Sequence, residues 1–169
     1  MSELNLVQIK EQVKHIMLDF QINDLNNCIK GGGNFLAAIG LMVATESLGG
    51  LITGTPKSGS KRNFEEGFKR LGDSYRNLYD NNKDGVLDVY RNVRCGLIHR
   101  YVPSNVEGMY AGYTDLPGII EQDGAFKILP ASYVRDLETA VNRLLVELES
   151  DTKLQGRVRK TLKQIPVLA

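Results

Sequence analysis

Two side chains that could act together on a phosphodiester stand five residues apart in the segment RCGLIHRY, namely Arg94 and His99. Imidazole exchanges protons near neutral pH, so His99 can serve as a general acid or base. Arg94 carries a permanent positive charge and a forked set of donors that fits phosphate oxygens. Together they could cleave RNA without a metal. His99 would take the proton of a ribose 2′-hydroxyl, and Arg94 would stabilise the charge that gathers on the phosphate.

A regular α-helix does not bring these two side chains together. Five residues correspond to about 500° of rotation, so Arg94 and His99 would point about 140° apart. Two arrangements would solve this problem. Either the helix loosens near Gly96, or a second copy of the chain supplies the other half of the site.

The strip resembles the R-x4-6-H motif of the HEPN superfamily, the helical-bundle ribonucleases and toxins of prokaryotic defence and toxin-antitoxin systems, in the form R-x4-H-x-Y. The resemblance implies that Arg94 and His99 are the catalytic pair, and that Tyr101 is the tyrosine that a partner nucleotidyltransferase modifies in some members. It also implies a homodimer in which the motifs of both chains line one groove, which favours the second arrangement. Arg91 and Arg100 would add phosphate-attracting charge at the edges of that groove.

One position departs from the family pattern. The residue after the arginine is commonly asparagine in the family, whereas this chain has Cys95, and Asn92 is the candidate to serve in its place. The alternative function is therefore a non-catalytic HEPN-like module that binds protein or nucleic acid. In that case Arg94 and His99 only complement the negative end of their helix, contributing about 0.3 to 1 kcal/mol each.

The segment directly before the motif has a second possible chemistry, calcium binding. Asp80, Asn82 and Asp84 stand at ligand positions one, three and five of an EF-hand loop, and Gly85 stands at position six. Position twelve must supply a bidentate glutamate, but it is Arg91. We therefore expect no metal and no cofactor, and we interpret the segment as a turn that ends one helix and caps the next.

Hydrophobic periodicity predicts the helices that position the motif, because apolar residues recur every three to four positions. The predicted helices cover residues 6–20, 24–47 with a break at 31–33, 64–80, 85–101 and 130–148, and a shorter basic helix ends the chain. Residues 49–62 are rich in Gly, Ser and Pro and predict a flexible loop. The stretch GIIEQDGAFKIL places an Asp-Gly turn between two apolar runs, which predicts a β-hairpin. The expected class is all-α: one domain, residues 1–169, an antiparallel bundle of five to six helices with a small hairpin near 118–129.

Composition limits the partners and the compartment. Lys plus Arg number 21 against 20 Asp plus Glu, so the bulk charge does not predict binding to nucleic acid. Lys153, Arg157 and Lys160 form a stripe near the C-terminus, which could follow an RNA backbone but fits a solvated helix face better. The two cysteines fit no metal-ligand spacing, and the apolar run at 35–44 is too short to span a bilayer, which takes about 20 residues. We therefore expect a cytoplasmic protein without a membrane partner. His15, the other histidine, should be exposed on the first helix.

Overall fold

The computed structural model describes residues 4–82, 88–101, 103–110 and 115–165, and most of these residues are helical. The α-helices of this part of the chain are α1 (Leu6–Lys14), α2 (Asn23–Lys30), α3 (Asn34–Thr53), α4 (Ser60–Arg70), α5 (Asp73–Asn82), α6 (Pro130–Glu147) and α7 (Thr152–Leu162). Three segments are π-helical: π1 (His15–Ile22), π2 (Val89–Arg94) and π3 (Gly96–Arg100). The strands are β1 (Val106–Met109), β2 (Ile119–Gln122) and β3 (Ala125–Ile128).

The first predicted helix is present, but π1 changes its register. Asn5 begins α1 with a capping box, in which its side chain accepts from the backbone N–H of Gln8 at 2.9 Å and the Gln8 side chain accepts in return at 3.0 Å. Of the apolar residues that recur along this helix, Ile9, Val13 and Met17 are fully buried, but Phe20 is 47% exposed. Since a π-helix bonds residue i to residue i+5, Ile22 takes the next buried position in place of Phe20.

The third helix is longer than predicted, because two glycines serve close packing. Residues 49–53 continue α3, and the loop covers only residues 54–59. A Cβ on Gly49 would lie 1.6 Å from the carbonyl oxygen of Asn63, and a Cβ on Gly67 would lie 1.9 Å from that of Thr45. Both contacts are impossible for any other residue, so these glycines allow the backbones of α3 and α4 to touch. The predicted flexible loop over residues 49–62 is therefore wrong at both ends.

The same helix bears on the expected absence of a membrane segment. Within the described residues, α3 is the one helix that is long and apolar enough to cross a membrane, with 20 residues and a mean hydropathy of 1.8. It exceeds the run at residues 35–44, because the helix continues past Glu46. In the fold, 56% of its most apolar 18-residue stretch is buried against other parts of the chain, as in the central helix of a globular core.

The predicted helix at residues 64–80 is divided into α4 and α5. Gly72 has a φ of 154°, which L side chains rarely adopt, and the helix ends just before it. The carbonyl oxygen of Leu71 at this break accepts a hydrogen bond from Arg143 Nη2 at 3.2 Å. The apolar residues that recur along this segment still pack into the core, since the aromatic ones, Phe64, Phe68 and Tyr75, are almost fully buried.

The hairpin is confirmed, and it belongs to a larger sheet. Strands β2 and β3 are antiparallel and pair Ile119 with Ile128, and the turn residues Asp123 and Gly124 both have positive φ, as a tight Asp-Gly turn requires. Strand β1, which was not predicted, pairs in parallel with β3, giving the order β1-β3-β2. The chain is thus mostly helical with a three-stranded sheet.

The C-terminal helices follow the predicted pattern. Every member of the predicted stripe of α6 is buried: Val134, Leu137, Val141, Leu144, Leu145 and Leu148. In the basic stripe of α7, Lys153 and Lys160 are exposed, whereas Arg157 Nε donates to the carbonyl oxygen of Ile52 at 2.7 Å. At least one member of the stripe therefore joins α7 to α3.

Candidate functional site

The motif lies on two consecutive π-helical segments. Asp88 begins π2, and its side chain accepts from the backbone N–H of Arg91 at 3.0 Å. Because π-helical bonding joins residues five apart, side chains at i and i+5 lie about one turn apart on one face. Arg94 Nη1 accordingly lies 3.2 Å from His99 Nε2 in the same chain. Loosening of the helix, the first of the two expected arrangements, is sufficient to bring the pair together.

Glu46 of α3 and Ser60 of α4 hold Arg94 in place. Glu46 Oε2 accepts from Arg94 Nε at 2.9 Å and from Nη2 at 2.5 Å, and Nη2 also donates to Ser60 Oγ at 3.0 Å. The Ser60 hydroxyl in turn donates to Glu46 Oε1 at 2.5 Å. The ring of Tyr90 lies 5.5 Å from the guanidinium carbon. These contacts fix the position and orientation of the guanidinium.

The electrostatics of this group keep Arg94 charged. Its side chain is only 11% exposed and that of Glu46 is 22% exposed. Burial alone would lower the pKa of Arg94, but the hydrogen bonds and the charge of Glu46 outweigh it and raise the pKa. Glu46 also offsets part of the positive charge, so Arg94 attracts an anion less strongly than a free arginine would.

One nitrogen of the guanidinium points toward the outside of this network. Nε and Nη2 donate to Glu46 and Ser60, whereas Nη1 faces His99 and lies 4.0 Å from the Sγ of Cys95. His99 itself is exposed. The arrangement therefore places a fixed cationic donor beside an accessible imidazole, the combination that acid-base chemistry on a phosphate requires.

The other predicted site residues lie on the same segment with different exposure. Arg91 and Arg100 are exposed, but Asn92 is only 8% exposed, and its carbonyl oxygen accepts from the backbone N–H of Ser104 at 3.1 Å. Tyr101 ends π3 with a positive φ of 55° and is 66% exposed, with its ring centroid 6.1 Å from that of Phe35. The structure thus leaves Arg91, Arg100 and Tyr101 accessible and buries Asn92.

A cleft of about 360 Å³ opens beside the Arg94–Glu46 pair. Its walls come from π1, α3 and π3 and combine apolar side chains with a few polar groups. Gln21 contributes a buried Oε1 atom that has no hydrogen-bond partner within the described part of the chain. The candidate site is therefore a pocket as well as a pair of side chains.

Reasoning from the sequence missed Glu46 and Ser60. A signal for Glu46 was present, since it is the only charged residue between residues 34 and 53. A lone carboxylate in an apolar helix needs a partner when the helix is buried. The sequence could not show that this partner is Arg94, 48 residues away.

The calcium interpretation falls partly outside the described residues, because Asp84 and Gly85 lie within 83–87. Of the remaining candidate ligands, Asp80 pairs with Lys69 at 3.0 Å, and the Asn82 amide donates to the carbonyl oxygen of Leu78 at 3.0 Å. Over the ranges that the structure describes, no three His, Cys, Asp or Glu side chains are grouped to hold a metal. His15 is exposed as expected, with Nδ1 3.8 Å from Asp19 Oδ2.

Comparison of the chain with protein-family models, with curated proteins and with solved structures found no match. Membership of the HEPN superfamily is therefore a proposal for this chain.

Proposed function

We propose that this chain is a metal-independent endoribonuclease of HEPN type that cleaves single-stranded RNA in the cytoplasm, as a toxin or a defence component. The observation that carries the proposal is the 3.2 Å contact between Arg94 Nη1 and the exposed His99 Nε2. If the arginine and the histidine were both buried, their contact would only stabilise the fold. Here the imidazole is open to a substrate and the guanidinium beside it is held rigidly.

The chemistry assigns one role to each side chain. Neutral His99 takes the proton of a ribose 2′-hydroxyl, and the 2′-oxygen then attacks the adjacent phosphorus. The bond from phosphorus to the 5′-oxygen breaks, leaving a 2′,3′-cyclic phosphate on one fragment and a 5′-hydroxyl on the other. Arg94 Nη1 donates to a non-bridging phosphate oxygen while negative charge gathers there.

The departing 5′-oxygen also needs a proton, and a homodimer would provide it. Two chains that face each other across one groove would present two copies of His99, one as the base and one as the acid. The exposure of Arg91 and Arg100 supports this arrangement, since both could attract the RNA backbone at the rim of such a groove. The exposed Tyr101 hydroxyl is accessible to a partner nucleotidyltransferase, which would act as the antitoxin.

The ion pair between Arg94 and Glu46 favours a second candidate function. With three of its hydrogen bonds directed to Glu46 and Ser60, Arg94 could serve mainly to join π2 to α3 and α4. The chain would then be a non-catalytic module that binds protein or nucleic acid. RNA that is bound but not cut would identify this function.

The test is incubation of the purified protein with single-stranded RNA in excess chelator. We expect the intact chain to cut the RNA and His99→Ala to cut at least about 100-fold more slowly, because proton transfer by a positioned side chain contributes about 10²- to 10⁴-fold. His15→Ala is the matched control and should cut at the normal rate. RNA that stays whole, or that His99→Ala cuts as fast as the intact chain, would overturn the proposal.

A further inference from the structure

We propose that a second copy of this chain binds the apolar surface along α3, and that this contact brings the two copies of His99 to one groove. We call this region the α3 surface and define it as Phe20, Leu36, Ile39 and Val43. The inference rests on the proposed function, since it names the surface that binds the partner completing the site.

The outer face of α3 is apolar, although the exposed side of a helix is ordinarily polar or charged. Leu36 is 62% exposed and Val43, about two turns further along, is 47% exposed, with the half-buried Ile39 between them. Glu46 is the only charged residue of α3, and its charge is paired with Arg94 inside the chain. A helix that is apolar on all sides is ordinarily covered on all sides. We therefore infer that another molecule covers this face.

The apolar surface continues from α3 onto its neighbours. Phe20 of π1 is 47% exposed and lines a second cleft, of about 380 Å³, together with Val43. The ring of Tyr101, directly after π3, stacks on Phe35, which precedes Leu36 in the chain. Among the described residues, eight large apolar side chains are exposed, and half of them belong to this region. Such a concentration of exposed apolar area is typical of an interaction surface.

The α3 surface lies beside the motif. Arg94 bonds to Glu46, and Tyr101 stacks on Phe35, which lies about three turns nearer the start of α3. The segment that carries the exposed His99 therefore runs alongside this stretch of α3, in the opposite direction. A molecule bound on the α3 surface is consequently close to the imidazole.

The charge pattern of the α3 surface suits a second copy of the chain. In a two-fold interface, residues near the axis meet their own copies, so like charges would repel each other there. None of the four residues that define the surface is charged, so this repulsion does not arise. A two-fold axis that crosses α3 also sets the motif side of one copy against the motif side of the other. The second His99 is then at hand to protonate the departing 5′-oxygen.

The experiment measures the mass of the full chain in solution by sedimentation equilibrium. We expect a dimer at micromolar concentration. Val43→Lys should weaken the dimer at least about 30-fold, because the interface would bury an unpaired charge among apolar side chains. An intact chain that remains monomeric throughout the micromolar range would overturn the inference.

Two further variants locate the contact. Leu36→Lys, about two turns from Val43, should weaken the dimer as Val43→Lys does. Val7→Lys is the matched control, since Val7 is 63% exposed near the start of α1 and lines neither cleft, and it should remain dimeric. All three positions are exposed in the single chain, so each variant should fold, which circular dichroism checks. A dimer that survives both substitutions on α3, or that Val7→Lys weakens equally, would overturn the assignment to the α3 surface.

A flotation assay distinguishes a second copy of the chain from a lipid surface as the molecule that covers α3. The full chain is mixed with vesicles of phosphatidylcholine and phosphatidylserine. We expect it to stay unbound, because the α3 surface is already covered in the dimer. Vesicle binding that Val43→Lys abolishes would overturn the inference and identify a membrane-binding face.

RNA cleavage separates this inference from the proposed function. Leu36→Lys leaves Arg94 and His99 unchanged, and its monomer should cut RNA at least about 100-fold more slowly because the second His99 is missing. A monomer that cuts at the full rate would overturn the link between the α3 surface and the site. A dimer that depends on the α3 surface but cuts no RNA would remove the ribonuclease and keep the interface.

Discussion

The ion pairs Arg135–Asp136 and Arg94–Glu46 have different surroundings. Arg135 Nε and Nη2 donate to Asp136 Oδ1 at 2.9 and 2.8 Å, and Asp136 Oδ2 accepts from the Tyr75 hydroxyl at 2.6 Å and from the backbone N–H of Gly118 at 3.1 Å. Arg94 and Glu46 are bonded similarly, but Arg94 also contacts the exposed His99. The first pair joins α5, α6 and the segment before β2. The second joins π2, α3 and α4, and it lies beside the exposed imidazole of His99.

The difference lies in which groups can change their protonation. Burial raises the pKa of Tyr75, and the charge of Asp136 raises it further, so this hydroxyl stays a donor at any ordinary pH. The pair at Arg135 therefore holds its hydrogens in one arrangement, although it too lies beside a cavity, of about 150 Å³. Imidazole, by contrast, exchanges protons near neutrality. The comparison shows that a fixed ion pair becomes a candidate for catalysis when an accessible proton-exchanging group adjoins it.

The largest expected effect is the loss of RNA cleavage on removing Arg94 or His99, and a mixture of the two variants tests whether the pair works within one chain. If Arg94 and His99 work as a pair within one chain, Arg94→Ala and His99→Ala should each cut RNA at least about 100-fold more slowly than the intact protein. Mixing the two variants, with refolding to exchange subunits, should restore nothing, because no chain then carries both groups. Recovery of a substantial fraction of activity on mixing would show that the working pair is formed between two chains.

Loss of the carboxylate in the other pair should affect stability and leave the chemistry intact. Asp136→Ala removes the acceptor of three groups, and we expect the free energy of unfolding to fall by about 2 kcal/mol, below the cost for a fully buried pair because Arg135 is partly exposed. Urea denaturation measures this change. Cleavage per folded molecule should be unchanged. A loss of cleavage beyond the loss of folded protein would show that the Arg135–Asp136 pair also contributes to the chemistry.

A smaller effect is expected for Glu46→Gln, which retains the shape and removes the charge. Arg94 would keep hydrogen bonds but lose its ionic partner, so we expect about 1 kcal/mol less stability and roughly tenfold slower cleavage through poorer positioning. Glu149→Gln is the control, since that exposed carboxylate pairs with Lys10 far from the motif in sequence. Faster cleavage by Glu46→Gln would instead indicate that Glu46 restrains Arg94.

The parts of the fold that could be predicted are those with a regular hydrophobic repeat or a distinctive turn sequence. The stripe of α6 is regular and Pro130 stands at its first turn, where the missing N–H costs nothing, so pattern and structure agree. The Asp-Gly turn likewise determines the hairpin. Strand β1 was missed because its four residues, which include Gly108, show no clear alternation of apolar and polar side chains.

The site itself could be predicted only in part. Spacing identified Arg94 and His99, but the expected α-helical register set them on different faces, since no sequence pattern marks a π-helix. Gly49 was interpreted as a sign of flexibility, although it serves close packing, because glycine is compatible with both. Glu46 joins the site through a contact between residues distant in the chain, which periodicity does not reveal.

The end group that cleavage leaves on the RNA tests the central claim most directly. If His99 activates the ribose 2′-hydroxyl beside Arg94, the products formed in excess chelator should carry a 2′,3′-cyclic phosphate and a 5′-hydroxyl. A strand with a single 2′-deoxyribose at the cut position should remain whole there. Fragments that end in a 3′-hydroxyl, or cleavage next to that deoxyribose, would contradict the account.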